Sequence, residues 1–268
     1  MVEPKHASPT PGAAASEWPG KVVLVTGGAQ GVGKGIAQAV LEAGGNVVIG
    51  DLDAEAGKAC LDEWQAGERA AFHVLDVSKE ASVIRFVAAA LKRFGRIDGL
   101  VNNAGIANPH NDPIEAMDWA EWKHRIETNL GGVFLCCKHA LPSLKHVNGA
   151  IVNIASTRAH QSEPHSEAYA ASKGGMLAFT HALAVSAGPV RVNAINPGWI
   201  VVDDWKKPSV RKKAKLSAAD HAQHPVGRAG VPPDIGALAV FLLSSQAGFI
   251  TGENITVDGG VARKMHYV

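Results

Sequence analysis

The chain has 268 residues, 46% of them hydrophobic and 19% charged, a globular composition long enough for one large domain or two small ones. Lys and Arg total 26 against 25 Asp and Glu, and this near-neutral balance argues against a dedicated nucleic-acid binder. The three cysteines, Cys60, Cys136 and Cys137, form no C-x-x-C spacing, so they make neither a disulfide framework nor a zinc site and read as small buried hydrophobes.

Residues 1–20 are rich in Pro, Ala and Ser and lack an apolar signal core, so they read as a disordered tail on a cytoplasmic protein. No apolar run approaches the ~20 residues of a membrane span. From there the pattern alternates. Lys21–Thr26 is an almost continuous apolar run, as expected of a strand buried on both faces. A glycine-rich turn leads into a helix over Gly33–Ala43. Asn46–Gly50 is a second strand, followed by a helix over 53–65. Ala71–Leu75 is a third strand, and Ser78 is expected to cap a helix over 79–94. Ile97–Asn102 is a fourth strand. Residues 114–147 read as one or two helices interrupted near Gly131–Gly132. Ala150–Ala155 is a fifth strand, 167–187 a long Ala-rich helix and Val190–Ile195 a sixth strand. Residues 203–222 are polar and basic. Pro232–Ser244 is a helix and Asn254–Val257 a last short strand. Strands alternating with helices imply βαβ crossovers and a parallel sheet with helices on both faces. The expected fold is one doubly wound α/β domain of Rossmann type over residues 21–262, with a seven-stranded parallel sheet between helices and a C-terminal tail at 263–268.

Such sheets bind ligands at the carboxyl ends of their strands. After the first strand comes T-G-x-x-x-G-x-G at 26–33. Glycines there let backbone approach a pyrophosphate at a helix N-terminus, or serve an ordinary strand-to-helix turn. Asp51 ends the second strand, where an acid can bind the hydroxyls of an adenosine ribose. Asp76-Val77 and Asn102-Asn103-Ala104-Gly105 end the next two strands, as a nucleotide site or as turns. Tyr169 and Lys173 lie four apart on one helix face, so a nearby ammonium can stabilise the phenolate. Ser156 ends the fifth strand and either bonds a substrate oxygen or caps a turn. Asn129 sits in a helical stretch that disfavours Asn, and holds a water, a backbone carbonyl or a kink.

Together these residues resemble the short-chain dehydrogenase/reductase family. The resemblance covers about residues 20–260 and also rests on N-P-G at 196–198 and T-G-E-N-I-T-V-D-G-G at 251–260. It implies Tyr169 as general acid/base, Ser156 orienting the substrate oxygen, and Lys173 holding the nicotinamide ribose while lowering the Tyr169 pKa. It further implies that Asn129 holds a water linked to Lys173. The cofactor, NAD, would meet Gly27, Gln30, Gly31, Val32, Gly33, Asp51, Leu52, Asp76, Val77, Asn103, Ala104, Gly105, Tyr169 and Lys173. Pro197, Gly198 and Ile200 would lie beside its nicotinamide. A homotetramer or dimer built on the helices at 114–147 and 164–187 is expected by analogy.

One departure stands out. Similar sequences often carry Thr where this chain has Val202, which puts a lid contact with the cofactor in doubt. Asp51 and the absence of a basic residue beside Gly31 point to NAD over NADP, with Lys34, the nearest cation, expected to point away. Six cations from Lys206 to Lys215 and Arg158 suggest a positive field over a substrate lid at about 199–224. The twelve histidines show no metal-ligand spacing, so no metal is expected. Trp119 and Trp122 read as helix-packing residues. The expected activity is hydride transfer between a small-molecule secondary alcohol and a ketone, with neither nucleic acid nor membrane as partner. Epimerase or dehydratase chemistry and a non-catalytic dinucleotide sensor are the alternatives.

Overall fold

The computed structural model describes residues 17–265. Seven strands form one sheet: β1 (Val22–Thr26), β2 (Asn46–Asp51), β3 (Ala70–Val74), β4 (Gly99–Asn102), β5 (Ala150–Ile154), β6 (Arg191–Pro197) and β7 (Asn254–Val257). Their order is β3-β2-β1-β4-β5-β6-β7, and every pairing is parallel. Strand order reverses between β1 and β4, the point where such a sheet opens a crevice at its carboxyl edge.

Helices cover both faces. On one face α1 (Gly31–Glu42), α2 (Ala54–Trp64) and α8 (Pro232–Leu243) bury Ile36, Val40, Cys60, Ile235 and Leu242 against Val23 and Val25. On the other, α3 (Glu80–Phe94), α5 (Gly132–Val147) and α6 (Glu167–Ser186) bury Phe86, Cys136, Cys137, Leu144 and Met176 against Val22 and Leu24. Alternate residues of β1 serve opposite cores, which is why the strand reads as a continuous apolar run rather than an alternating one. The three cysteines are free and buried, and burial pushes the Cys60 and Cys137 thiols up to about 12. They are packing residues.

Four expectations need correction. Residues 1–16 and 266–268 lie outside the described residues, but 17–20 are part of the domain. Trp18 is buried in the α1/α8 core, Lys21 lies 5.5 Å from its ring centroid, and Glu17 accepts the Ser245 amide at 3.0 Å. A single indole followed by Pro19-Gly20 gives no periodic signal, so the expected start of the domain falls too late. At the other end, Val261–Arg263 forms a 3₁₀ turn held by Asp258, which accepts the Gly260 and Ala262 amides, so residue 263 belongs to the domain.

Ser78 does not cap α3. Its amide and hydroxyl both turn back to Asp76 Oδ1, at 2.9 and 2.7 Å, and Lys79 takes the cap position without a side-chain bond. The interruption expected near Gly131–Gly132 is present as a change of helix type. α4 (Trp119–Ile126) runs into α5 through one wide π turn, Glu127–Gly131. Gly132 is required by packing, since a Cβ there would sit 2.7 Å from Val77 Cγ2. Trp122 is half-buried, but Trp119 is exposed beneath the Lys123 ammonium rather than packed between helices.

Candidate active site

A single cavity of about 1190 Å³ runs along the carboxyl edge of the sheet, from Asp51 and Leu52 past the glycine turn to Ser156, Tyr169 and Lys173. At its β1 end, Gly27 and Gly31 adopt φ of +60° and +56°, a left-handed backbone that disfavours side chains. Gly33 answers a different need: a Cβ there would lie 2.1 Å from the Gly27 carbonyl oxygen. The turn is therefore folded tightly onto the first turn of α1. Gln30, at the cap position of that helix, makes no side-chain cap bond, so the helix N-terminus keeps amide donors for an anion. Gly31 and Val32 line the cavity there.

Thr26, not singled out from sequence, braces this turn. Its hydroxyl accepts the Asn103 and Ala104 amides, both at 3.0 Å, and Asn103 Nδ2 donates to the carbonyls of Thr26 and Gly27. Asn103 thus lines the cavity while shaping the glycine turn. Gly105 lies under Asn129, and Asp76, Val77, Ala104 and Gly105 all border the cavity.

Asp51 ends β2 at the cavity wall. It accepts the Ala29 amide at 3.1 Å and the Asp53 amide at 3.1 Å, while burial holds its carboxyl above the ordinary range. Asp53 caps α2 through the Ala56 amide. The basic stretch reaches this end of the cleft, contrary to its expected place over the substrate. Lys207 Nζ lies 2.9 Å from Asp53 and 2.7 Å from Glu55, Ser209 donates to Glu55, and Arg211 pairs with Glu63. Lys206 pairs with Asp203 at 2.7 Å. Lys206, Lys207 and Arg211, three of the six cations of this stretch, are thus paired with acids of the chain. Lys34 is buried in an ion pair with Glu63, and Lys207 rather than Lys34 is the cation bound to the acids that follow Asp51. Val202 lies 3.4 Å from where a Cβ on Gly31 would stand, so it covers the glycine turn by packing where a Thr would offer a hydroxyl.

At the other end, Ser156 follows β5, Tyr169 and Lys173 project from α6, and all three line the cavity. Ser156 also caps the 3₁₀ turn Thr157–Ala159, its Oγ accepting the Arg158 amide at 3.1 Å. Lys173 Nζ donates to the Ile154 carbonyl at 2.8 Å and lies 5.6 Å from the Tyr169 ring centroid. Burial pushes the Lys173 ammonium down to about 8. Burial also raises the Tyr169 phenol above its ordinary value, opposed by the Ser156 hydroxyl and the Arg158 charge. Lys173 is not among the groups that shift the phenol here; desolvation is the leading cause for both residues.

Asn129 meets a backbone carbonyl and sits at a change of helix type, two of the roles its place in a helix suggested: its Nδ2 donates to the Ile106 carbonyl at 3.3 Å. It is fully buried in the π turn, where its Oδ1 accepts the Ile106 amide at 2.7 Å and its Nδ2 donates to Ser172 Oγ at 3.2 Å. Its amide is thus committed to backbone and to α6, and it positions the helix that carries Tyr169 and Lys173. Pro197 and Gly198 close β6 at the cavity, with Ile200 bridged to Gly230. The walls also include His124 and Thr128, which the sequence reading passed over although their four-residue spacing puts them on one helix face.

A dinucleotide fits this donor set: uncapped amides at α1 for a pyrophosphate, an acid at β2 for a ribose, and a Ser-Tyr-Lys cluster at the far end. A family model described as enoyl-(acyl carrier protein) reductase matches residues 27–262. An uncharacterized oxidoreductase of Thermotoga maritima is 47% identical over 92% of this chain and 98% of its own length. The 3-oxoacyl-[acyl-carrier-protein] reductase FabG of Chlamydia muridarum is 38% identical over 90% of this chain and 97% of its own. The solved structure of an apo SCOR enzyme from Clostridium thermocellum is 38% identical, covers 92% of this chain and 95% of its own, and superimposes with a TM-score of 0.81. The chain therefore belongs to the short-chain dehydrogenase/reductase family, and it is an oxidoreductase of alcohols and ketones that uses NAD or NADP.

Proposed function

We propose that the protein interconverts a secondary alcohol and a ketone with NAD, using Tyr169 as the general acid/base. The observation that carries this reading is the convergence of Ser156, Tyr169 and Lys173 on the cavity end opposite Asp51. NAD supplies the hydride acceptor or donor when bound. Tyr169 moves the proton on the substrate oxygen, and Ser156 holds that oxygen. Lys173, fixed by the Ile154 carbonyl, holds a ribose and supplies positive charge beside the phenol as a ligand closes the site. Gly27, Gln30, Gly31, Val32 and Gly33 cradle the pyrophosphate. Leu52, Asp76, Val77, Asn103, Ala104 and Gly105 border the adenosine and its ribose, and Pro197, Gly198 and Ile200 flank the nicotinamide.

The NAD preference rests on Asp51. A 2′-phosphate there would face a partly desolvated carboxylate, and Lys207 is already held by Asp53 and Glu55. Exposed apolar side chains on the helices, Phe134 on α5 and Val185 on α6, support a homo-oligomer. Light scattering of the purified chain measures it.

The test is steady-state formation of reduced cofactor from a panel of alcohols, with NAD and NADP in parallel. Turnover by the wild type, lost in Tyr169→Phe while NAD still binds, supports the reading. Full turnover in Tyr169→Phe removes it. NAD binding without turnover of any alcohol or ketone favours the sensor.

A further inference from the structure

Among the described residues, one charged side chain of the cavity, Arg158, has a buried nitrogen with no hydrogen-bond partner. Arg158 lies on the 3₁₀ turn after β5, its amide bonded to Ser156 Oγ, so the turn that carries it is tied to the residue proposed to hold the reacting oxygen. Its side chain is 23% exposed and lines the cavity. Nη2 donates to Glu163 at 2.7 Å. Nη1 is shielded from water and has no acceptor; among the described residues no other Lys or Arg nitrogen is buried in this way. The guanidinium cannot shed its charge, so it cannot escape the cost of that unaccepted donor by deprotonation.

Glu163 does not complete the site. It is 57% exposed, so its pair with Arg158 contributes little, and it leaves the second arm of the fork unused. Its other neighbour is His110 Nε2 at 3.9 Å. The other cations on the cavity wall are committed elsewhere: Lys206 to Asp203, and Lys173 to the Ile154 carbonyl. The acids at the adenosine end lie across the cleft. A guanidinium with one arm held and one arm unaccepted can donate a charge-assisted N–H bond to a further carboxylate.

We propose that Arg158 is a specificity-determining residue that binds a carboxylate of the substrate, so that the substrate class is hydroxy acids and the corresponding oxo acids. This rests on the reading of the cavity as an alcohol and ketone site. Glu163 holds the guanidinium plane while the substrate carboxylate takes the remaining arm after a small turn of the fork. The acid end of the substrate is thereby fixed at Arg158 and its hydroxyl carbon at Ser156 and Tyr169.

The experiment has a turnover arm and a binding arm. Kinetics are measured with 2-, 3- and 4-hydroxy acids and their methyl esters, for wild type, Arg158→Gln, Arg158→Lys and Glu163→Gln. A charge-assisted bond should give wild type a preference in kcat/KM for the best acid over its ester of about tenfold to a hundredfold. Arg158→Gln should reduce it to within about threefold, mainly through a higher KM for the acid, with the ester little affected. Arg158→Lys should restore part of it, and Glu163→Gln, whose amide oxygen can still accept from Nη2, should keep most of it. In the binding arm, calorimetry compares benzoate with benzamide, with and without NAD. Benzoate should bind wild type more tightly and lose that advantage in Arg158→Gln. No acid preference in wild type, a preference that survives Arg158→Gln, or equal losses for acid and ester would overturn the proposal. The last result would mean that Arg158 merely clips the loop through Glu163. Failure to turn over any alcohol would count against the oxidoreductase reading, whereas the calorimetry decides the carboxylate site by itself.

Discussion

The two ends of the cleft are finished differently. At the β2 end every carboxylate has its partners within the chain: Asp51 takes two amides, Asp53 an amide and Lys207, Glu55 Lys207 and Ser209, and Glu63 Lys34 and Arg211. At the β5 end polar capacity is left over. Arg158 Nη1 and Thr128 Oγ1 lack partners, and both titrating groups there, Tyr169 and Lys173, are displaced toward neutrality by burial. A half-cleft satisfied by its own chain presents one fixed shape, as suits a common cofactor. A half-cleft with unspent donors and displaced pKa values is where ligand binding and proton transfer have most to gain.

The sharpest way to break this contrast is at Tyr169. Tyr169→Phe should lower kcat by at least about 10²–10⁴-fold while NAD affinity, set at the other end, stays within a few fold. Equal damage to both would mean that the two ends are not separable. Lys173 gives the next effect, through pH. Its folded pKa of about 8 lies below the ordinary 10.5, so between these values the unfolded chain binds more protons. Stability should therefore rise with pH across that window. The penalty is complete below pH 8 and gone above 10.5. Relative to Lys173→Met, the wild type should gain about 3 kcal/mol over this range, read from denaturant unfolding at each pH. A flat difference would show that Lys173 is not desolvated as the geometry implies.

Asp51 sharpens the contrast from the cofactor side. Wild type should favour NAD over NADP by about 10²-fold in kcat/KM, and Asp51→Ala should narrow the gap mainly by improving NADP. An initial preference for NADP would mean that Lys207 leaves Asp53 to bind the phosphate. The smallest effect belongs to Lys207 itself. Lys207→Ala removes a pair with exposed acids, so the NAD dissociation constant should rise by no more than about fivefold, with the difference shrinking at high salt. A larger change would give the lid a greater part in holding the cofactor than exposed ion pairs allow.

The same contrast bears on what could be read without coordinates. The glycine turn, Asp51 and the Tyr169–Lys173 pair were legible because each depends on local spacing: a strand, a tight turn and a helix, or two residues one helical turn apart. Asn129 was visible as a residue out of place in a helix, but its bonds to Ile106 and Ser172 were not, since they join segments 23 and 43 residues away. Trp18 was missed because a lone indole ahead of Pro19-Gly20 carries no period.

By itself, then, the sequence determined the alternation of strands and helices, and with it the parallel sheet and the carboxyl edge where a site must lie. Apolar periodicity and glycine placement act through neighbouring residues, and the chain cannot satisfy them another way. Tertiary structure decided where charge goes. It sent Lys207 to Glu55, 152 residues away, rather than to the substrate, and it left one arm of Arg158 unaccepted. It also moved Lys173 toward neutrality by burying it. Ion pairing and desolvation depend on which side chains meet and how much water remains between them, and neither has a period along the chain.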